Sequence, residues 1–298
     1  MQENYYLPIY QQIEREVIDL TAFIFFSDEQ ITLYSLKIAD LIIRCSIEVE
    51  SIAKDIYRRD TGKEPDKPGT AIKYLENTWT VSQKALRIVS PYTHFKSSFQ
   101  PSFAPFNYED KSSDDYLSTY NAIKHDRVKN IDKANINILI RVLGALYILN
   151  LYYGNERFFL DDDRYGSKIN TSFSSEIFAF YVAPLEDIVK LTSQEKINPI
   201  TCVYRIVRRE SEYAFKVLYE EQSGEQHSWD IINISDEFQN WAKSLVGQKI
   251  DPDGFFSTLG RSILEQLKAK RVISVEAIKR KNRYFAEISK YKLNEEKK

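Results

Sequence analysis

Apolar residues recur at steps of three and four through the first half of the chain, and alternate with polar ones through much of the second. Ile9, Ile13, Val17, Leu20 and Ile24 predict a helix over residues 5–26. Ile31, Tyr34, Ile38, Leu41, Cys45, Ile52 and Ile56 predict a longer one over 29–59. The two helices pair around Ser27-Asp28, with Asp28 in the N-cap position, and Asp60-Thr61-Gly62 stops the second. Beyond Pro65 and Pro68, short helices are expected over 70–79 and 82–89. Residues 91–110 keep neither period. Phe95, Phe99, Phe103, Phe106 and Tyr108, spaced by Pro101 and Pro105, predict an ordered aromatic loop laid over the helices. Ser113-Asp114-Asp115 then caps a helix reaching about Lys129, and Asp132 caps the next. That helix is apolar on nearly all sides from Ile136 to Leu151, as suits the centre of a bundle, and Gly154 ends it.

The second half changes period. Strands are expected over 177–182, 200–207 and 213–219, the last with Tyr213, Phe215, Val217 and Tyr219 on one face. Ser223-Gly224 turns into a further strand at 229–232, giving a small antiparallel sheet of three or four strands. Helices return over 235–246, 254–268 and 274–293. The fold class is therefore α+β, mainly α. A helical bundle occupies residues 1–155 and a connecting loop 156–174. An α+β domain with a small antiparallel sheet and basic C-terminal helices occupies 175–298.

Composition changes this picture only in places. Nine glycines and nine prolines favour long elements, while 20 tyrosines and 17 phenylalanines favour thick aromatic contacts. Cys45 and Cys202 sit far apart inside apolar runs and read as small buried hydrophobes. No basic-then-apolar leader opens the chain, and no run approaches about 18 apolar residues. A cytoplasmic protein without membrane contact is expected. The net charge of −2 hides an asymmetry: residues 261–298 hold twelve Lys/Arg against five Asp/Glu. A basic end on an acidic body can meet RNA, an acidic partner or its own body. Tyr284, Phe285, Ile288 and Tyr291 interleave those cations, a pattern that also describes a plain amphipathic helix.

Chemistry concentrates in Tyr120-Asn121-Ala122-Ile123-Lys124-His125-Asp126-Arg127. On a helix, Asn121 and His125 share one face with Leu117 and Val128, while Tyr116, Tyr120, Ile123 and Arg127 form the neighbouring stripe. That geometry puts Asn121 and His125 at the edge of the buried surface. There an oriented imidazole suits acid/base chemistry or a phosphate contact, and equally a histidine held in place for packing.

Residues 117–149, above all Tyr120-Asn121-x-x-Lys124-His125-Asp126-Arg127 and the apolar helix ending Ala145-Leu146-Tyr147-Ile148-Leu149, resemble the HEPN superfamily. The resemblance implies a helical bundle that dimerises through its long helices and cleaves RNA without metal or cofactor. It places such proteins in toxin–antitoxin, antiviral and abortive-infection systems. In that family an arginine is followed by four to six residues and then the histidine, often as Arg-Asn-x-x-x-His. Asn121 and His125 match that motif, and Tyr120 stands where the arginine falls. The resemblance thus implies His125 as acid/base, Asn121 as its orienting partner, and Lys124 or Arg127 on phosphate. Tyr120 completes the substrate-binding set, and two protomers share one cleft. The partners implied are a second copy, RNA and a regulatory protein. The alternative is a non-catalytic dimerisation, binding or regulatory module of the same fold.

Weaker candidates are Glu48 and Glu50, as partners for Lys124 or Arg127, and the acidic run Asp161-Asp162-Asp163, as a cation loop. His94 and His227 stand alone. No phosphate loop, nucleophile elbow or zinc-spaced Cys/His cluster occurs in the sequence, so no metal is expected.

Overall fold

A computed structural model describes residues 4–67, 69–107, 116–154, 157–161, 175–183, 185, 198–231, 233, 235–259 and 269–289. The fold is α+β and mainly helical, with helices first, small sheets next and further helices after them. The chain forms two compact units. One comprises Met1–Phe159, Asp163–Val207 and Ala286–Lys298, and the other Leu160–Asp162 and Arg208–Phe285.

In the first unit, α1 (Tyr6–Leu20) begins where the Asn4 side chain accepts from the N–H groups of Tyr6 and Leu7. α2 (Leu36–Thr61) starts seven residues later than expected. Its N-cap is Ser35, whose hydroxyl accepts from the Ile38 N–H, and its end is Gly62 in the left-handed region that glycine adopts freely. The intervening segment is not helical. A two-residue strand, β1 (Phe26–Ser27), leads into a single 3-10 turn, Asp28–Gln30. The carbonyls of Ile31 and Leu33 then accept from the amides that open the last helix of the bundle. Asp28 caps nothing on its own helix. Its carboxylate instead accepts from the amides of Lys96, Ser97 and Ser98 and pins the aromatic loop.

α3 (Thr70–Trp79) spans the short helix expected after Pro65 and Pro68. The helix expected over 82–89 does not form. A 3-10 turn at Val81–Gln83 runs into β2 (Leu86–Ile88), and β3 (Thr93–His94) follows, because Ile88 and Val89 are β-branched and Pro91 disfavours a helix before it. The aromatic loop then covers the core with Phe95, Phe99, Phe103 and Phe106 buried. Phe103 stacks edge-on to Phe99 and closes on Gly144, where an added Cβ would meet Pro105, Leu86 and Phe103 at 3.0–3.3 Å. α4 (Tyr116–His125) carries the motif, and α5 (Ile136–Gly154) is buried along nearly its whole length. The α5 cap is the Asn135 side chain, accepting from Ile138 N–H, rather than Asp132, which lies in a 3-10 turn. Among the described residues α5 is the one helix long and apolar enough to cross a membrane, and its neighbours in the bundle cover it.

A buried polar knot fastens α1 to the later chain. Glu14 Oε1 accepts from the Tyr10 hydroxyl at 2.8 Å, from the Ser175 hydroxyl and from the Ile177 N–H. This holds β5 (Phe178–Phe180) antiparallel to β2. β6 (Val182–Ala183) runs parallel to the first residues of β7 (Tyr204–Glu221).

The expected strands at 200–207 and 213–219 are one strand, β7, since no Gly or Pro interrupts residues 204–221. In the second unit it pairs with β8 (Gln226–Ile231) across the turn at Gly224, where φ is +86°. The helix expected over 274–293 is instead β9 (Ala269–Ile288). Val272, Ile273, Val275 and Ile278 are β-branched, and buried Val275 and Ala277 alternate with exposed Ser274 and Glu276, a period of two. The sheet order is β4-β9-β7-β6, with β4 (Phe158–Asp161) at one end and β8 also paired to β7. Phe215, Val217, Phe238, Phe255, Phe256 and Val275 form the core of the second unit, with the helices α6 (Asp236–Ser244) and α7 (Pro252–Leu259). The cap at 113–115, the loop residues 162–174 and the expected helical residues 260–268 and 290–293 lie outside the described residues.

Candidate functional site

Tyr120 and Ile123 anchor α4. Both are buried, together with Thr119, and this side of the helix packs against α2 and α5. Asn121, Lys124 and His125 therefore face solvent, as does Leu117. The expected position at the edge of the core is not what the helix presents. The neighbouring stripe of Tyr120 and Ile123 takes the buried side, and the Asn121–His125 face is turned out into water.

The helix ends at His125, four residues short of Lys129. The Asn130 side-chain amide donates to the carbonyls of Ala122 and Asp126 at 3.2 and 2.8 Å, and Asp126 Oδ1 accepts from the Lys129 N–H. These bonds satisfy carbonyls that a longer helix would have used. They leave residues 126–130 as a tight turn with Val128 at 89% exposure.

Charge around this end is partly engaged. Arg127 reaches Asp40 on α2 at 2.8 Å, an exposed pair of small energetic weight that still fixes where the guanidinium points. Glu48 and Glu50 do not take that partner. Glu50 pairs with Lys54 one turn on, and burial raises the Glu48 carboxyl above its ordinary range. The Lys124 ammonium stands 5.3 Å from the centre of the Tyr120 ring, a cation–π contact within its own helix. Among the described residues the His125 and Asn121 side chains make no hydrogen bond, to each other or elsewhere. Tyr120 is buried.

The structure thus brings Asn121, Lys124 and His125 onto one exposed face, with Arg127 just past the helix end. It separates Tyr120 from them by burying it. The other histidines lie elsewhere: His94 stacks on Phe25 at 4.3 Å, and His227 lies 3.7–3.9 Å from Glu225 and Glu221. Both cysteines are free and buried, and burial pushes both thiols up, Cys202 to about 11. No group of three or more His, Cys, Asp or Glu side chains among the described residues is placed to hold a metal ion. The Glu14 knot and the Asp28 clasp escaped sequence reasoning because both join residues at least 68 positions apart with no local pattern. No protein-family model, no curated protein and no solved structure matches this chain.

Proposed function

We propose that this chain is a HEPN-like cytoplasmic protein that acts on RNA through the exposed face of α4. The observation that carries the reading is the placement of Asn121, Lys124 and His125 together in solvent, on a helix locked by buried Tyr120 and Ile123. A rigid helix presenting a cation, an amide and an imidazole can meet a phosphate and its ribose with little reorganisation. In the catalytic form of this reading, His125 takes the proton of a ribose 2′-hydroxyl as its oxygen attacks the adjacent phosphorus. The 5′-oxygen leaves, and a 2′,3′-cyclic phosphate remains. Lys124 holds the phosphate, and a second protomer supplies the rest of the cleft, in keeping with apolar Leu117 and Val128 exposed on either side of it. A toxin or antiviral role, with a regulatory protein holding the activity in check, is the setting this chemistry serves.

The second reading keeps the fold and the binding and drops the cleavage. Two observations favour it: Tyr120 is buried where the arginine would act, and Arg127 is turned to Asp40. Incubation of purified protein with several end-labelled RNAs in excess EDTA separates the two. Fragments ending in a cyclic phosphate, lost in His125→Ala, support cleavage. RNA bound by the wild type but left intact by both wild type and His125→Ala supports the non-catalytic module.

A further inference from the structure

A second surface of the helical unit has the make-up of a single-strand binding strip. Residues 86–96 pass from β2 through a turn at Pro91 and Tyr92 into β3, with Leu86, Ile88, Ser90 and Phe95 buried and Arg87, Val89, Tyr92, His94 and Lys96 exposed. Parallel pairing of β1 with β3, Phe26 opposite Thr93 and Ser27 opposite His94, sets Phe25 beside this row. The Phe25 and His94 rings lie 4.3 Å apart and nearly parallel. Phe25 is 60% exposed, Phe23 86% and Tyr92 49%, which is costly for rings that could have turned inward.

Charge says what such rings would meet. In a chain with 43 acidic residues, none occurs between residues 77 and 108. The two acids beside the strip on β1 and its following turn are engaged. Asp28 receives the amides of Lys96, Ser97 and Ser98, and Glu29 accepts from the Ser27 hydroxyl. The exposed side chains of this segment therefore offer Arg87 and Lys96 as cations before and after the rings of Tyr92 and His94. Cations flanking solvent-facing rings suit a polyanion whose bases are free to stack, and a duplex keeps its bases stacked on each other.

We propose that Arg87, Tyr92, His94 and Lys96, with Phe23 and Phe25, form a stacking strip that holds single-stranded RNA. The proposal rests on the RNA reading of α4 and adds to it the strandedness of the substrate and a second contact surface. The test is fluorescence anisotropy across a salt series, with a labelled twelve-nucleotide single strand and a duplex of equal length. Mass measurement of each protein in solution accompanies it. Phe25→Ala with His94→Ala is expected to weaken single-strand binding about tenfold or more and leave duplex binding unchanged, while Phe25→Trp retains affinity. Arg87→Ala and Lys96→Ala each lower the salt slope by about 0.7. If the double variant binds the single strand as wild type does while Lys124→Ala binds less, the strip is wrong and the α4 reading stands. If wild type binds no RNA, both fail. If the double variant instead turns a dimer into a monomer, the rings serve self-association and the strip proposal is overturned.

Discussion

Lys84 offers a quantitative test of the packing between the helical bundle and the strands that follow it. Its side chain is wholly buried, and its ammonium donates to the Ile200 carbonyl at 2.9 Å. Burial pushes its pKa down from 10.5 to about 8, with the neighbouring Cys202 and Glu76 only partly opposing the fall. Below about pH 8 the folded protein must keep a charged ammonium out of water, so the cost is fully present there. Between the folded and unfolded values the unfolded chain binds the extra proton, and stability rises with pH. At about 1.36 kcal/mol per pKa unit the whole effect is about 3 kcal/mol, of which about 2 kcal/mol accrues between pH 7 and about pH 9.5. Lys84→Met keeps the bulk and removes the charge. At pH 7 the two proteins should be of similar stability, because the relieved desolvation is offset by leaving the Ile200 carbonyl unpartnered, at about 1–3 kcal/mol. The decisive quantity is wild-type stability minus that of Lys84→Met, from urea unfolding followed by fluorescence of the three tryptophans. Buried tyrosines and cysteines titrate in both proteins and largely cancel in the difference. It should climb by about 2 kcal/mol across the pH range. A difference that stays flat would refute a desolvated Lys84.

Three further perturbations probe the same unit. Glu14→Ala removes the acceptor shared by Tyr10, Ser175 and Ile177. The Tyr10 hydroxyl and the Ile177 amide retain Ser175 Oγ, so urea unfolding should report a loss of about 2–4 kcal/mol, and Glu14→Gln, which keeps a carbonyl there, about 1 kcal/mol. Asp28→Asn should speed amide hydrogen exchange at residues 96–98. The Lys96 amide first, with Ser98 and Ser97, holds the Asp28 carboxyl well below its usual 3.8. Its contribution is therefore present above that value and lost as pH falls toward the folded one, so the two proteins should converge in stability below pH 4. Gly144→Val should cost about 1–3 kcal/mol in thermal unfolding, because its methyls enter space already taken by Pro105, Leu86 and Phe103.

The helices that a regular stripe encodes were legible in the sequence: α1 and α2 by their three- and four-residue steps, α5 by its unbroken apolar character. The aromatic loop over 91–107 was legible too, since prolines between rings leave an ordered covering as the economical solution. Starts were read less well. Asp28 looks like a cap, and tertiary hydrogen bonds from 96–98 claimed its carboxylate instead. β2 and β9 were mistaken for helices because mixed apolar and basic residues satisfy both periods over short windows; β-branching at Ile88, Val272, Ile273 and Val275 was the better guide. At α4 the helix and its residues were legible, while its orientation was not. A period fixes which side chains share a face, and only the packing of Tyr120 and Ile123 decides which face turns to solvent. The Phe25–His94 stack depends on a strand pairing that joins distant residues, and no local pattern encodes it.

The most direct test of the central claim is the affinity of purified protein for RNA, compared among wild type, Lys124→Ala and His125→Ala across one series of salt concentrations. All three residues of the exposed α4 face are surface groups, so the variants should fold with unchanged unfolding midpoints. Contact through that face predicts about tenfold weaker binding for Lys124→Ala, with a salt slope lower by about 0.7, and a smaller loss for His125→Ala. Equal affinities and equal slopes in all three proteins would contradict it.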